Sequence, residues 1–576
     1  MNDTGYIRQA EVILRQIRAV PAYAQLCSRH AEPELIEREA LAMILESAAR
    51  FAEEILYPVN RRGDEEGCRL ENGNVVTPDG YRHAWKQLAE QGWNAIDQPV
   101  EFGGQGLPSF VNVACRELFD RACMAMGMVS GPQRAAALVF LEYASPEICQ
   151  EWIPRFVDGT WSASIGISEP DAGSDVGRIR TRATPLPDGA WRIDGEKMWT
   201  SFGGNDMVER IGCLLLARTP DAPAGTAGLS LFLVPNTIAD AQGEWQSNGV
   251  VVRRIEEKLG LHGSPTCVMG FEGARAQLLG TVNRGLAQLF VMIQNMRTLV
   301  AIEGVGIAFG ASQVAHDYAL ERRQGGNPKQ PPVPIATHPE IQRLLLNMHS
   351  RVEVLRALVL ELALRQDLLP YLPEGAEQSA SRELTQWLLP ILKATCSEAA
   401  FDVSNDAIQV LGGAGYTREW PVEQWLRDSR MMSIAEGATG IQALDLLHRR
   451  LWRTKRAGLT SFLDIARDEI QRAQEELAYP ALAVLQQLES AADRLDAWQE
   501  TPREAEAGAT AFLQLAALAA TGWMAVRLAC LPDDDPVTRR LSALGRYWLS
   551  DLEARGARQV AEIGLGAARL EFFNAL

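Results

Sequence analysis

The chain has 576 residues, 47% of them hydrophobic, and a formal net charge of −17. The length exceeds what one hydrophobic core holds and predicts about three to four domains, while the charge opposes binding along a phosphate backbone, so nucleic acid is not the expected partner. Nine cysteines (Cys27, Cys68, Cys115, Cys123, Cys149, Cys213, Cys267, Cys396, Cys530) form no CxxC pair and no zinc-site spacing, which points to reduced thiols and no bound metal.

In chain order, MNDTGYIRQAEVILRQIRAV lacks a continuous apolar core and a small-residue cleavage site, so it does not read as a signal peptide and a cytoplasmic protein is expected. Residues 1–160 read as a helical domain, with Leu41, Ile44, Leu45, Ala48, Phe51 and Ile55 on one face at spacings of three and four. DQPVEFGGQGLP (97–108), with two prolines and three glycines, must be a loop between helices.

From residue 161 to 284 the period shortens. WSASIGIS, WRIDGEKMW with an Asp194-Gly195 turn, IGCLLLA, LSLFLV and TCVMGFE predict strands of a small β domain. ISEPDAGSDVG (167–177) is a turn able to present backbone N–H groups and hydroxyls to a ligand. Trp199, ending an alternating strand, reads either as a core or sheet-face residue or as a flat wall beside a ring.

Helical spacing returns over 285–455. Gly304, Gly306 and Gly310 imitate a dinucleotide fingerprint but follow no strand, so they predict close helix packing and no Rossmann domain. Arg297 reads as a substrate contact or as the partner of a helix acid such as Glu303. Residues 456–576 predict an additional helical domain, with Phe462, Ala466, Ile470, Ala473 and Leu477 on one face and a linker at TPREAEAGAT (501–510). AFLQLAALAATGWMAV (511–526) is shorter than the ~20 residues of a membrane span and is broken by Gln514 and Gly522, so a buried bundle helix is expected.

Glu436 is the residue around which the chain is organised. Met431, Met432, Ile434 and Ala435 precede it, Gly437 and Ala438 follow, and a carboxylate among apolar groups gains proton affinity suited to a general base. A surface glutamate favoured by a helix N-terminus is the competing reading.

The ordered series QVLGGAGY (409–416), PVE, LRD and Glu436-Gly437 resembles the C-terminal signature of the acyl-CoA dehydrogenase family. ISEPDAGSD resembles that family's Thr-Glu-Pro-x-Ala-Gly-Ser-Asp motif with Ser168 in the Thr position, PVEFGGQGL its Gly-Gly-x-Gly loop, and ALERRQGG (319–326) its Ala-Leu-Glu-Arg turn. The Glu-Gly-x-x-Gly-Ile-Gln version with its C-terminal extension is similar to the long bacterial subgroup that includes 3-methylmercaptopropionyl-CoA dehydrogenases. The resemblance implies a mainly α fold with a small β domain: an N-terminal helical domain (1–160), a central β-barrel or sandwich (161–284), a four-helix bundle carrying the base (285–455) and an additional helical domain (456–576).

The same resemblance implies FAD as cofactor and assigns roles. Glu436 is the catalytic base. Ile167, Ser168, Trp199 and Ser201 lie against the flavin, and Arg322, Gln324, Gln409 and Gly413 meet the dinucleotide of a partner subunit. Ser174, Arg297 and Gly437 contact the acyl-CoA substrate. Gln324-Gly325-Gly326 departs from the usual residues after Arg322, and Ala435 stands where the family often has Tyr, which widens the pocket near the thioester.

The expected activity is therefore FAD-dependent α,β-dehydrogenation of an acyl-CoA to the 2-enoyl-CoA, with electrons passed to an electron-transfer flavoprotein. A homodimer is expected, because the extra helical block should cover the surface that smaller tetrameric relatives use between dimers. The alternatives are an acyl-CoA oxidase, a nucleic-acid-associated flavoprotein of the same fold and a flavin-free scaffold. Residues 457–576 oppose the second of these, since 11 arginines and no lysine against 18 acidic residues leave a charge of −7.

Overall fold

The computed structural model describes residues 5–576, so residues 1–4 of the predicted N-terminal domain lie outside the described residues. The chain divides into two compact units: Arg50–Asn112 with Ala122–Leu299, and Met1–Ala49 with Val113–Arg121 and Val300–Leu576.

The Arg50–Asn112 and Ala122–Leu299 unit holds all the strands found among the described residues. Strands β1 (Arg69–Glu71) and β2 (Asn74–Val76) form a hairpin through Asn72 and Gly73, both at positive φ (51° and 82°) as a tight two-residue turn requires. The main sheet follows: β3 (Trp161–Gly166), β4 (Arg182–Pro185), β5 (Trp191–Ser201), β6 (Arg210–Arg218) and β7 (Leu229–Pro235). A short ribbon, β8 (Thr237–Ala239) with β9 (Trp245–Ser247), leads to β10 (Val250–Ile255) and the long β11 (Thr266–Leu279).

β11 pairs with both β5 and β7, β7 with β6, β6 with β4 and β4 with β5, so five strands close into a small barrel. β3 extends it in parallel beside β6, and β10 lies antiparallel beside β11. Closure pairs both sides of the five ring strands and leaves only β3 and β10 as edge strands of this sheet.

The apolar run in β6 has a direct cause. Leu214 and Leu216 pack with Phe140, Trp152 and Phe156 of the helices, whereas Cys213, Leu215 and Ala217 pack with Phe232, Val234 and Phe271 inside the barrel. Both faces of the strand are buried, so polar alternation disappears. Arg210 fixes this layer, with its guanidinium 4.8, 4.5 and 4.3 Å from the ring centres of Trp152, Trp161 and Trp245.

Asp194 and Gly195 make no turn, contrary to the sequence expectation. They lie inside β5, opposite a bulge at Gly273 (φ 71°) of β11, and the Gly273 N–H donates to Asp194 Oδ1 at 3.0 Å. The Asp-Gly pair accommodates a bulge on the neighbouring strand.

The other unit is helical. Helices Pro339–Leu368 and Ala376–Leu411 pack together with the second half of Gly285–Glu321, and a Cβ added at Gly304 would approach the Cys396 carbonyl to 2.5 Å. One at Gly306 would come within 2.4 Å of the Glu117 carbonyl, so these glycines serve close packing. Arg356 is fully buried and bonds both carboxyl oxygens of Glu117 as well as Glu353, while Gln9 and Gln16 donate to the same two acids.

The C-terminal helices Ala457–Ile470, Glu475–Ala497, Ala509–Ala529, Pro536–Leu549 and Leu552–Gly564 belong to this unit. Arg527 bridges Glu361 of Pro339–Leu368 (2.7 Å) and Glu469 of Ala457–Ile470 (2.6 Å), and Tyr547 donates to Asn347 at 2.7 Å. The single apolar face expected from Phe462 to Leu477 is split: the first helix ends at Ile470 and Leu477 starts the next. The expected linker at 501–510 is instead a short helix, Pro502–Ala507, with Ala505 buried.

Among the described residues two helices, Gly285–Glu321 and Ala509–Ala529, are long and apolar enough to cross a membrane, with mean hydropathy 1.4 and 1.5, and both are buried within the fold. The second is the bundle helix that the sequence predicted.

Candidate active site

Glu436 is not at a helix start. It sits in the loop between the turn at Arg430–Ser433 and the short helix Thr439–Leu444, half-buried, with φ 54° followed by Gly437 at φ 91°. A left-handed backbone at a non-glycine residue costs roughly 1–2 kcal/mol and persists only where neighbours impose it.

Gln442, fully buried, donates from Nε2 to the carbonyls of Glu436 (3.1 Å) and Gly437 (3.0 Å). Lys393, also fully buried, donates from Nζ to the carbonyls of Met432 (2.8 Å) and Gly437 (2.7 Å).

A second carboxyl acts on this loop electrostatically. Glu303, buried, receives Arg116 at 3.3 Å, and Arg116 also binds Asp120 at 2.5 Å. Burial pushes the Glu303 carboxyl above its ordinary range; Arg116 pulls it down, and the charge of Glu436 pushes it up further. Glu303 is thus committed to Arg116, whereas Arg297 is buried with its guanidinium 5.9 Å from the Phe290 ring centre.

Ile167, Ser168, Trp199 and Ser201 come together where β3 ends beside β5. The Met198 N–H donates to the Ser168 carbonyl (2.9 Å), and the Lys197 ammonium to the Ile167 carbonyl (3.0 Å) and Glu169 Oε1 (2.7 Å). Burial lowers the Lys197 ammonium to about 8 against the pull of Glu169, whose own carboxyl stays below its usual range because Lys197 and Thr181 outweigh its burial.

Trp199 has φ 60° and is 56% exposed. Its strand partners explain this: Lys197 faces Met269 and Thr200 faces Cys267, so Met198 and Trp199 together oppose Val268. That bulge turns the indole out of the sheet, as bulges beside functional sites commonly do. An exposed indole offers the flat apolar face that a flavin ring requires, and the core reading of Trp199 is excluded. Ser174 is exposed on the turn that follows.

The remaining predicted residues lie on the helical unit. Arg322, Gln324, Gln409 and Gly413 are all exposed; Arg322 donates to Gln324 Oε1 at 3.3 Å, and a Cβ at Gly413 would meet open space. A cleft of about 780 Å³ in the same unit is lined by Arg351, Glu398, Asp402, Thr439, Tyr547 and Arg555, and by none of the predicted site residues.

Comparison with known proteins decides the family. Residues 38–160, 164–274 and 283–451 match the acyl-CoA dehydrogenase N-terminal, middle and C-terminal domain models. The chain belongs to the acyl-CoA dehydrogenase family. It is 36% identical over 522 residues to 3-methylmercaptopropionyl-CoA dehydrogenase of Ruegeria pomeroyi, covering 88% of this chain and 86% of that one. Caenorhabditis elegans ACDH-11, solved in complex with C11-CoA, shares the fold at TM-score 0.79 and 21% identity over 94% of this chain and 90% of its own. An acyl-CoA dehydrogenase from Bacillus anthracis complexed with FAD does so at TM-score 0.75 and 20% identity over 90% and 87%. This acyl-CoA dehydrogenase is accordingly an FAD-dependent oxidoreductase.

The sequence reading missed the supports. Lys393 and the Lys197–Glu169 pair carry no local signal, because each works through a contact distant in sequence; Glu303 reads in the sequence only as a partner of Arg297, and Gln442 stands in the Glu-Gly-x-x-Gly-Ile-Gln run without a role. The exception is Glu169 in ISEP, which an unexplained acid inside a ligand-facing turn could have flagged.

Proposed function

We propose that this enzyme removes the α- and β-hydrogens of an acyl-CoA thioester to give the 2-enoyl-CoA, with Glu436 as base. The observation that carries the reading is the backbone of Glu436, left-handed and pinned on both sides by buried donors. Such strain accompanies a residue whose direction matters.

In this reading Glu436 accepts the α-proton, while Arg297, Ser174 and Gly437 border the thioester. FAD, when bound, supplies acceptance of the β-hydrogen as hydride. Ser168 and Ser201 would hold the ring against Trp199, whose exposed face keeps water off one side. Arg322, Gln324, Gln409 and Gly413 would reach the dinucleotide of the partner in a homodimer, and an electron-transfer flavoprotein would receive the electrons.

Ala435 removes bulk beside the base, which supports an acyl group larger or more polar than a short fatty chain. A panel from butyryl- to palmitoyl-CoA with 3-methylmercaptopropionyl-CoA, scored by anaerobic flavin bleaching, tests this. Bleaching by short unbranched chains alone contradicts the pocket argument.

Glu436→Gln tests the base. Gln preserves volume and cannot accept the proton, so flavin reduction in stopped flow should fall by at least ~10²–10⁴-fold while acyl-CoA still binds. Reduction at the wild-type rate would place the base elsewhere.

A further inference from the structure

The Glu436 loop is held by a lysine that the reaction itself does not use. Lys393 stands in the middle of helix Ala376–Leu411, is fully buried, and spends hydrogen bonds on two carbonyls rather than on the surface. Those carbonyls belong to Met432 and Gly437, one on each side of Glu436.

Burying an ammonium is costly unless strong acceptors surround it. Charge-assisted bonds to carbonyls are about twice as strong as neutral ones, so this group imposes geometry where an apolar side chain could not. Gln442 adds two donors to the same stretch, and the Gly437 carbonyl receives from both residues. Between the two fixed points the chain turns left-handed at Glu436 and Gly437 and emerges with the carboxylate half-buried.

We propose that Lys393 is a positioning residue for dehydrogenation: by tying the Met432 and Gly437 carbonyls to the Ala376–Leu411 helix, it sets the direction from which Glu436 meets the substrate α-carbon. The inference rests on Glu436 being the base. Lys393 touches neither substrate nor proton; it acts through the loop.

The test uses the flavin-loaded enzyme and the best reductant from the acyl-CoA panel. Lys393→Met keeps the stem and removes the donor. It should lower the limiting rate of flavin reduction by ~10²-fold, the loss expected for a base displaced by about 1 Å, with the acyl-CoA dissociation constant within about threefold of wild type. Lys393→Arg, which restores a buried donor, should recover at least tenfold of that loss.

A wild-type limiting rate in Lys393→Met overturns the inference, as does equal loss in Met and Arg variants accompanied by weakened acyl-CoA binding. Should Lys393→Met not fold, Gln442→Met decides in its place: about a tenfold fall in the limiting rate with unchanged binding supports the clamp, and no fall rejects it. Glu436→Gln, run in parallel, separates the two claims. If that variant reduces flavin normally the base assignment fails, and if it is inactive while the clamp variants are normal only the clamp fails.

Discussion

Glu303 lies close enough to Glu436, the proposed base, for the two charges to interact. Burial raises the Glu303 carboxyl, Arg116 opposes it, and the charge of Glu436 adds to the rise. The charged groups facing Glu303 are Arg116 from the Ser109–Tyr143 helix, Asp120 one turn further along it, and Glu436. Burial pushes Asp120 well up, and Glu303 adds to that against Arg116. Glu303→Gln removes one negative charge while leaving Arg116 its bond to Asp120. A base relieved of like-charge repulsion ionises at lower pH, so the acid limb of the reduction rate should move downward in the variant. Stopped-flow reduction across pH 5–9 reads this directly, and an unmoved limb means that Glu303 does not tune the base.

Among the elements, those whose signal is local were legible and those set by distant partners were not. The runs IGCLLLA and LSLFLV fall inside β6 and β7 because each is apolar on both faces, and TCVMGFE falls inside β11 because Cys267, Met269 and Phe271 alternate onto the barrel interior. The β1–β2 hairpin was missed although Asn72-Gly73 announces it, and the break between Ile470 and Glu475 has neither Gly nor Pro to mark it. The mainly α fold with a small barrel was readable from periodicity and motif together; the Trp199 bulge was not, because it depends on the register with β11. The ion network of the C-terminal helices was equally hidden. Burial pushes the Glu361 carboxyl up, but Arg365 and Arg527 outweigh it and hold it at about 2. Its folded value lies below the unfolded one, so this contribution is complete above about pH 4.3 and lost as pH falls toward 2. Glu361→Gln should lower stability by roughly 3–5 kcal/mol at pH 7, as expected for an opened buried pair, and much less at pH 3. Chemical unfolding at both pH values checks this, and an equal loss at both would refute the ion-pair account.

At the scale of the whole molecule, the exposed set Arg322, Gln324, Gln409 and Gly413 argues for an assembly. In the proposed reading each reaches the dinucleotide of a partner, and each is solvent-facing on the helical unit. The faces of Pro339–Leu368 and Ala376–Leu411 are already engaged: Arg527 and Tyr547 bond the former, and the helix Ala457–Ile470 packs against the latter closely enough that Gly458 has no room for a Cβ beside Trp387. Surface occupied within one chain is closed to a second pair of chains, so assembly should stop at two. Light scattering on the flavin-loaded protein should then give twice the 63.3 kDa chain mass. Arg322→Ala removes a charge-assisted contact to phosphate and should release FAD on gel filtration more readily, with the mass unchanged. A stable monomer with full flavin occupancy would refute the shared cofactor site, and a tetramer would show that the C-terminal helices do not close the bundle faces.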